Sequence, residues 1–224
     1  MKSKLWRIPC AALFALINAT AGAALVDQPD GTVLDTNLNI YWTQDAGYAG
    51  GPMTWFEAQN WIASLNNTKY IGFNNWRLPQ VAPVNGAAFD ITNSFDGSTD
   101  NGYNITSRAS ELSYMYHVNL GNLALYDTAG NFGQPGWGLK NTGPFPRLAV
   151  GAYWTKVDNP TDSAQAFIVG MGNGHQNFFA KDTLHYAWAV RDAAVPIPAA
   201  VWLFSTGLLG LLGTAGKRRP IYRD

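Results

Sequence analysis

Residues 50–67 read "GGPMTWFEAQNWIASLNN", and six residues later residues 74–80 read "NNWRLPQ". Thr54 stands where a helix N-cap belongs, and Glu57 three positions on completes a capping box. Trp55, Ala58, Trp61, Ile62 and Leu65 then recur at helical spacing along one face, so the stretch predicts an amphipathic helix with an apolar side to bury. Pro79 closes whatever strand or turn Trp76 and Leu78 begin, because proline has no N–H to give a ladder.

Working outward, the flanking segments read as strands. "NLNIYWTQD" (37–45) precedes the helix and alternates aromatic and β-branched residues. "GAYWTKV" (151–157), "AQAFIVGM" (164–171) and "HYAWAVRD" (185–192) are three later strand candidates. The turn "GNGHQ" (172–176) leads from the second of these into "NFFAKD" (177–182), which predicts a hairpin. A second helix is expected within "SRASELSYMYHV" (107–118), capped by Ser107 or Ser110. Residues 85–143 are rich in Asn, Gly, Ser and Thr and read as long loops on a small core.

The 224-residue chain has room for one well-buried domain. Its zero formal charge hides a segregation. Lys2, Lys4 and Arg7 make the start basic, and Lys217, Arg218, Arg219 and Arg223 do the same for the end. Between them 8 Lys and Arg stand against 14 Asp and Glu, a net of −6. Binding to nucleic acid or another polyanion rests on neutralising phosphate or sulfate with cations, so nucleic acid is excluded as a partner class.

The first residues, "MKSKLWRIPCAALFALINATAGAALVDQ", have the three parts of a secretory signal: a positive start, an apolar run over residues 11–17, and small residues at a cleavage site around Ala21 and Ala23. A signal peptide over 1–23 implies the Sec translocon and signal peptidase as partners. The run is too short to span a bilayer as a helix. Cys10 is the one cysteine and precedes that run, so the exported chain expected from residue 24 has no disulfide and relies on its core.

At the other end, residues 195–224 open with Val195-Pro196-Ile197-Pro198. Residues 199–216 follow without a charge, roughly 27 Å as a helix, and Lys217, Arg218 and Arg219 then act as a stop signal. On the residues alone this is a single-pass anchor with its C-terminus in the cytoplasm. The proline motif, apolar helix and basic cluster together resemble the PEP-CTERM sorting signal of Gram-negative bacteria, here with isoleucine in the place of the glutamate. That resemblance implies recognition by an exosortase, a membrane protease that cleaves near the motif, so that the helix holds the protein in the inner membrane only transiently before it reaches the cell surface or the extracellular matrix.

The order of pieces between the two ends carries a second resemblance. "IYWTQDA", "TWFEAQNWIASLN", "NNWRLP", "SELSYMYHVNLGN", "GAYWTKV" with "AQAFIVGMGNG", and "YAWAVRD" resemble the Lcl C-terminal-like domain, over a domain placed at residues 24–194. The resemblance implies an α+β, C-type-lectin-like fold with a small twisted antiparallel sheet, one or two packed helices and long loops. It also implies binding or adhesion rather than catalysis. Sulfated polysaccharide, a ligand associated with one founding member, fits the acidic middle poorly; extracellular polysaccharide more broadly stays open as a partner.

Little in the chain carries reaction chemistry, and the expectation is no enzyme and no cofactor. His117, His175 and His185 lack a second His or Cys at metal-ligand spacing and read as packing or surface residues. "GMGNG" (170–174) lacks the helix and lysine of a phosphate loop and reads as a turn. Asp90, Asp96 and Asp100 lie among Asn, Ser and Gly at spacings that leave a calcium ion open as a ligand, without the closing glutamate of an EF-hand. Trp42, Trp55, Trp61, Trp76, Trp154 and Trp188 read as core. Trp137, in "QPGWGLKN" (134–141), is the candidate ligand contact, because an exposed indole stacks on the apolar face of a sugar ring. Arg77 and Arg191 are both expected to pair with buried carboxylates.

Overall fold

A computed structural model describes residues 25–193. The signal segment with Ala21 and Ala23, the motif Val195–Pro198 and the basic cluster Lys217, Arg218 and Arg219 lie outside the described residues. Among the described residues, no helix is long and apolar enough to cross a membrane.

The described residues form a mixed α and β fold, with two helices and two sheets. One sheet contains β1 (Leu25–Asp27), β2 (Thr32–Asp35), β3 (Ile40–Thr43) and β9 (Val190–Asp192), in that order and all antiparallel. The other has the order β4 (Asn93–Ser94), β5 (Asn101–Gly102), β8 (Gln176–Ala180), β7 (Asp162–Gly170), β6 (Ala152–Asn159), antiparallel apart from the short β4–β5 pair. The sequence reading expects one small sheet where there are two. The segment 185–192, expected as one strand, is what divides them. Tyr186 bridges to Tyr153 on β6, whereas Val190 pairs with Trp42 on β3 and bridges to Arg77. Ala187, Trp188 and Ala189 between them are buried, so the chain crosses from one sheet to the other through the core.

The helix α1 spans Trp55–Asn67 with the capping box in place: Thr54 accepts from the Glu57 N–H, and Glu57 accepts from the Thr54 N–H. Ala58, Ile62 and Leu65 are fully buried, packed with Trp76, Leu78, Trp154 and Ile168. Trp55 and Trp61 are half-buried at the border of that cluster rather than inside it. Asn66 ties the helix to the following segment as a strand neighbour would. Its Oδ1 accepts from the Trp76 N–H at 2.7 Å, and its Nδ2 donates to the Trp76 carbonyl at 2.9 Å. The second helix, α2 (Glu111–Tyr114), is capped by Ser110 and continues as a π-turn over Met115–Asn119. A second apolar cluster, with Trp42, Tyr116, Phe145, Tyr153 and Trp188, fills the space beside the first sheet.

The loops of residues 85–143 hold together through polar side chains that stand in for backbone partners. Asn104 donates to the carbonyls of Phe95 and Tyr126, and Asn122 accepts from the N–H groups of Lys140 and Asn141. The two arginines diverge. Arg77 meets the buried Glu111 at 2.7 Å and Asp192 at 2.6 Å, as expected. Arg191, 7 % exposed, has no carboxylate within ion-pair distance among the described residues, contrary to expectation. Its guanidinium lies between the rings of Tyr41 at 3.8 Å and Phe73 at 3.5 Å. The planar cation is held chiefly by aromatic faces, with Asp30 acting on it only from beyond ion-pair distance.

Candidate functional site

The strand β8 explains how a site forms on the second sheet. Alternation sends Gln176 and Phe178 inward and leaves His175, Asn177 and Phe179 on the other face. Gln176 is fully buried, accepting from the Ser110 and Ser113 hydroxyls and donating to the Asp100 carbonyl. Phe178 packs edge-on against Phe167 at 5.0 Å. The outward trio lies opposite Ile168 and Ala166 of β7, across the ladder pairs Asn177–Ile168 and Phe179–Ala166.

Over this face runs a groove of about 500 Å³, lined by Trp137, Val150, Ile168, Asn173, His175, Asn177, Phe179 and His185, with glycines 151, 170 and 172 forming part of its floor. That volume is within the usual range of roughly 300–1,000 Å³ for ligand pockets. Trp137, Phe179 and Val150 stand at its rim and are 40 %, 43 % and 73 % exposed. Among the described residues, no Asp, Glu, Lys or Arg lines it.

Trp137 is held in place from two sides. Its own loop closes through the Trp137 N–H to the Gln134 carbonyl, the Gly138 N–H to the Leu123 carbonyl, and Gln134 Nε2 to the carbonyls of Ala124 and Tyr126. The Leu125 N–H then donates to the Asn173 carbonyl at 2.9 Å, which fastens that loop to the β7–β8 turn. The turn requires glycine at 174. Its φ is +72°, and a Cβ there would come within 2.7 Å of Tyr116 Cε1 and 2.8 Å of His117 Cε1.

The histidines pack, as expected. His175 stacks on Tyr103 with ring centroids 4.3 Å apart, and His185 meets Trp154 at 4.7 Å and Phe179 at 5.0 Å. Burial lowers the pKa of both imidazoles, so at neutral pH the groove is uncharged throughout. His117 holds the Gly174 carbonyl at 3.2 Å.

The three acids left open for calcium do not converge. Asp100 is buried, and its two oxygens accept from the N–H groups of Val84 and Asp90. Asp90 turns onto the Thr92 N–H and Asp96 onto the Ser98 N–H and hydroxyl. Among the described residues, no group of three His, Cys, Asp or Glu side chains is placed to hold a metal ion. Another depression, about 370 Å³ beside Tyr70 and Pro146, contains Asp45 and Arg147 already joined to each other as an ion pair.

Of the groove residues, Trp137 is the one sequence reading singles out. Asn173, Asn177, Phe179 and Val150 escape it, although the alternation of "HQNFF" (175–179) carries the signal for two of them. No curated protein matches the chain. A family model, the Lcl C-terminal domain, matches residues 31–191, which include both sheets' main strands and the whole groove, and the chain belongs to the Lcl C-terminal domain family.

Proposed function

We propose that the protein is a non-enzymatic binding module, exported by a Gram-negative bacterium and working at the cell surface or in the extracellular matrix. Its ligand in this reading is an uncharged extracellular polysaccharide that lies in the groove at Trp137. The single observation supporting this most is the groove itself: two exposed aromatic rings and two amides with no charged side chain in the lining. Stacking on Trp137 and Phe179 suits the apolar face of a pyranose, and the amides suit its oxygens. The C-type-lectin-like relationship belongs to the same proposal.

Export in this reading begins with removal of residues 1–23 by signal peptidase after the Sec translocon. It ends with exosortase cleavage near Val195–Pro198, the basic cluster Lys217, Arg218 and Arg219 having stopped the helix in the membrane. If the tail is retained, the same domain is a permanently tethered ectodomain. The apolar tail and the charge pattern support either fate.

The test is a binding screen of the protein recovered from its producing cells against neutral and sulfated polysaccharides, between about 0.05 and 0.2 M salt. Binding to a neutral polymer, unchanged by salt and weakened about tenfold or more by Trp137→Ala, is the expected result. Tight binding to a sulfated polymer alone, collapsing as salt rises, contradicts it.

A further inference from the structure

We propose that the groove is built for an acetamido sugar, a pyranose bearing an N-acetyl group, with Asn173 and Asn177 receiving the amide carbonyl and the wall of Val150 and Ile168 receiving the methyl. This rests on the groove being the ligand site and adds the chemical class of ligand.

The argument starts from how the two amides are fixed. Asn173 Oδ1 accepts from the His175 N–H at 3.1 Å, and Asn177 Oδ1 accepts from the Phe178 N–H at 2.8 Å. An amide whose oxygen faces an N–H must present its NH2 at the other end. Neither Nδ2 has a partner among the described residues, and the same holds for the Trp137 indole N–H. The imidazoles add nothing at Nε2, since both of those atoms are enclosed and unpartnered. The side chains therefore offer mainly donors, each amide oxygen keeping one lone pair beyond its bond to backbone.

A hydroxyl carries a proton as well as lone pairs, and in such a lining its proton finds no carboxylate to take it. A carbonyl oxygen accepts only, with two lone pairs for two amide donors. The acetyl group supplies that oxygen together with a methyl, and a methyl is what exposed Val150, beside the buried Ile168 that also lines the groove, lacks a partner for. The free amine of a deacetylated sugar is the worst fit. A cation would meet donors and neutral imidazoles with no carboxylate to pair with.

The test uses the full chain and isothermal titration with oligomers of N-acetylglucosamine and of N-acetylgalactosamine. Glucose oligomers of matched length and the deacetylated forms serve as comparisons. The acetylated series should bind at least tenfold more tightly than the matched glucose series, about 1.4 kcal/mol. Asn177→Asp keeps an oxygen for the Phe178 N–H but replaces the donor, and should erase that preference with the melting temperature held; Asn173→Ala provides an independent second variant. Equal affinity for acetylated and plain oligomers overturns the acetamido assignment and leaves the groove as a general sugar site. Failure to bind any neutral oligomer overturns both.

Discussion

Two arginines in similar sequence settings, Arg77 in "WRLP" and Arg191 in "WAVR", are stabilised by opposite means. Arg77 leaves the buried Glu111 without a counter-ion if removed. Arg191 leaves mainly aromatic faces that another long apolar side chain can cover, with Asp30 lying beyond ion-pair distance. Arg77→Met should therefore cost about 3 kcal/mol or more, the usual consequence of stranding a buried charge. Arg191→Met should cost clearly less. Urea denaturation of the two variants measures this, and a larger loss for Arg191→Met would show that a carboxylate partner exists after all. Nothing in the sequence distinguishes the two sites, because the rings around Arg191 come from β3 and from Phe73, far apart in the chain.

At the level of elements, α1 depends on a side chain that imitates a strand. Asn66→Ala removes both bonds to the Trp76 backbone and leaves an N–H and a carbonyl beside the core without partners. A loss of roughly 2 kcal/mol in a chemical denaturation is expected; an unchanged midpoint would mean that water replaces both bonds. The histidines in and around the hairpin of β7 and β8 carry a pH dependence. His117, His175 and His185 are all shifted below the ordinary value of 6.5 by burial, so the unfolded chain binds their protons more readily than the folded one. Their contribution is complete above pH 6.5 and declines as pH falls from there towards the folded values. Melting temperature should accordingly drop on acidification from pH 7 towards pH 5, and His185→Gln should flatten that slope. A rise in melting temperature over the same interval would contradict the burial of neutral rings. The helix α1, its cap and the β7–β8 hairpin were legible because each is written locally, in spacing and turn residues. The groove was not, since it needs Trp137 and the alternating face of β8 to meet, and that depends on a loop stapled by Leu125 to Asn173.

For the molecule as a whole, the register brings the two ends of the described chain to one edge row. Leu25 pairs with Asp35, Asp35 with Ile40, and Ile40 with Asp192. Three strand spacings, roughly 14 Å, separate entry from exit. Both ends of the described chain lie on the first sheet, whereas the groove lies on the second. Intact mass of the protein from cell fractions should lack residues 1–23 and, in surface or extracellular material, everything from about Val195 onward. Full-length tails found only in membranes would make the helix a lasting anchor. The most direct measurement of what the domain does is a backbone-amide NMR map of the protein titrated with a neutral N-acetylated oligosaccharide. Perturbations confined to Trp137, Val150, Asn173, Asn177 and Phe179 are the predicted result. Saturable shifts centred elsewhere, or none at any concentration, would contradict the groove as the place where this molecule meets its ligand.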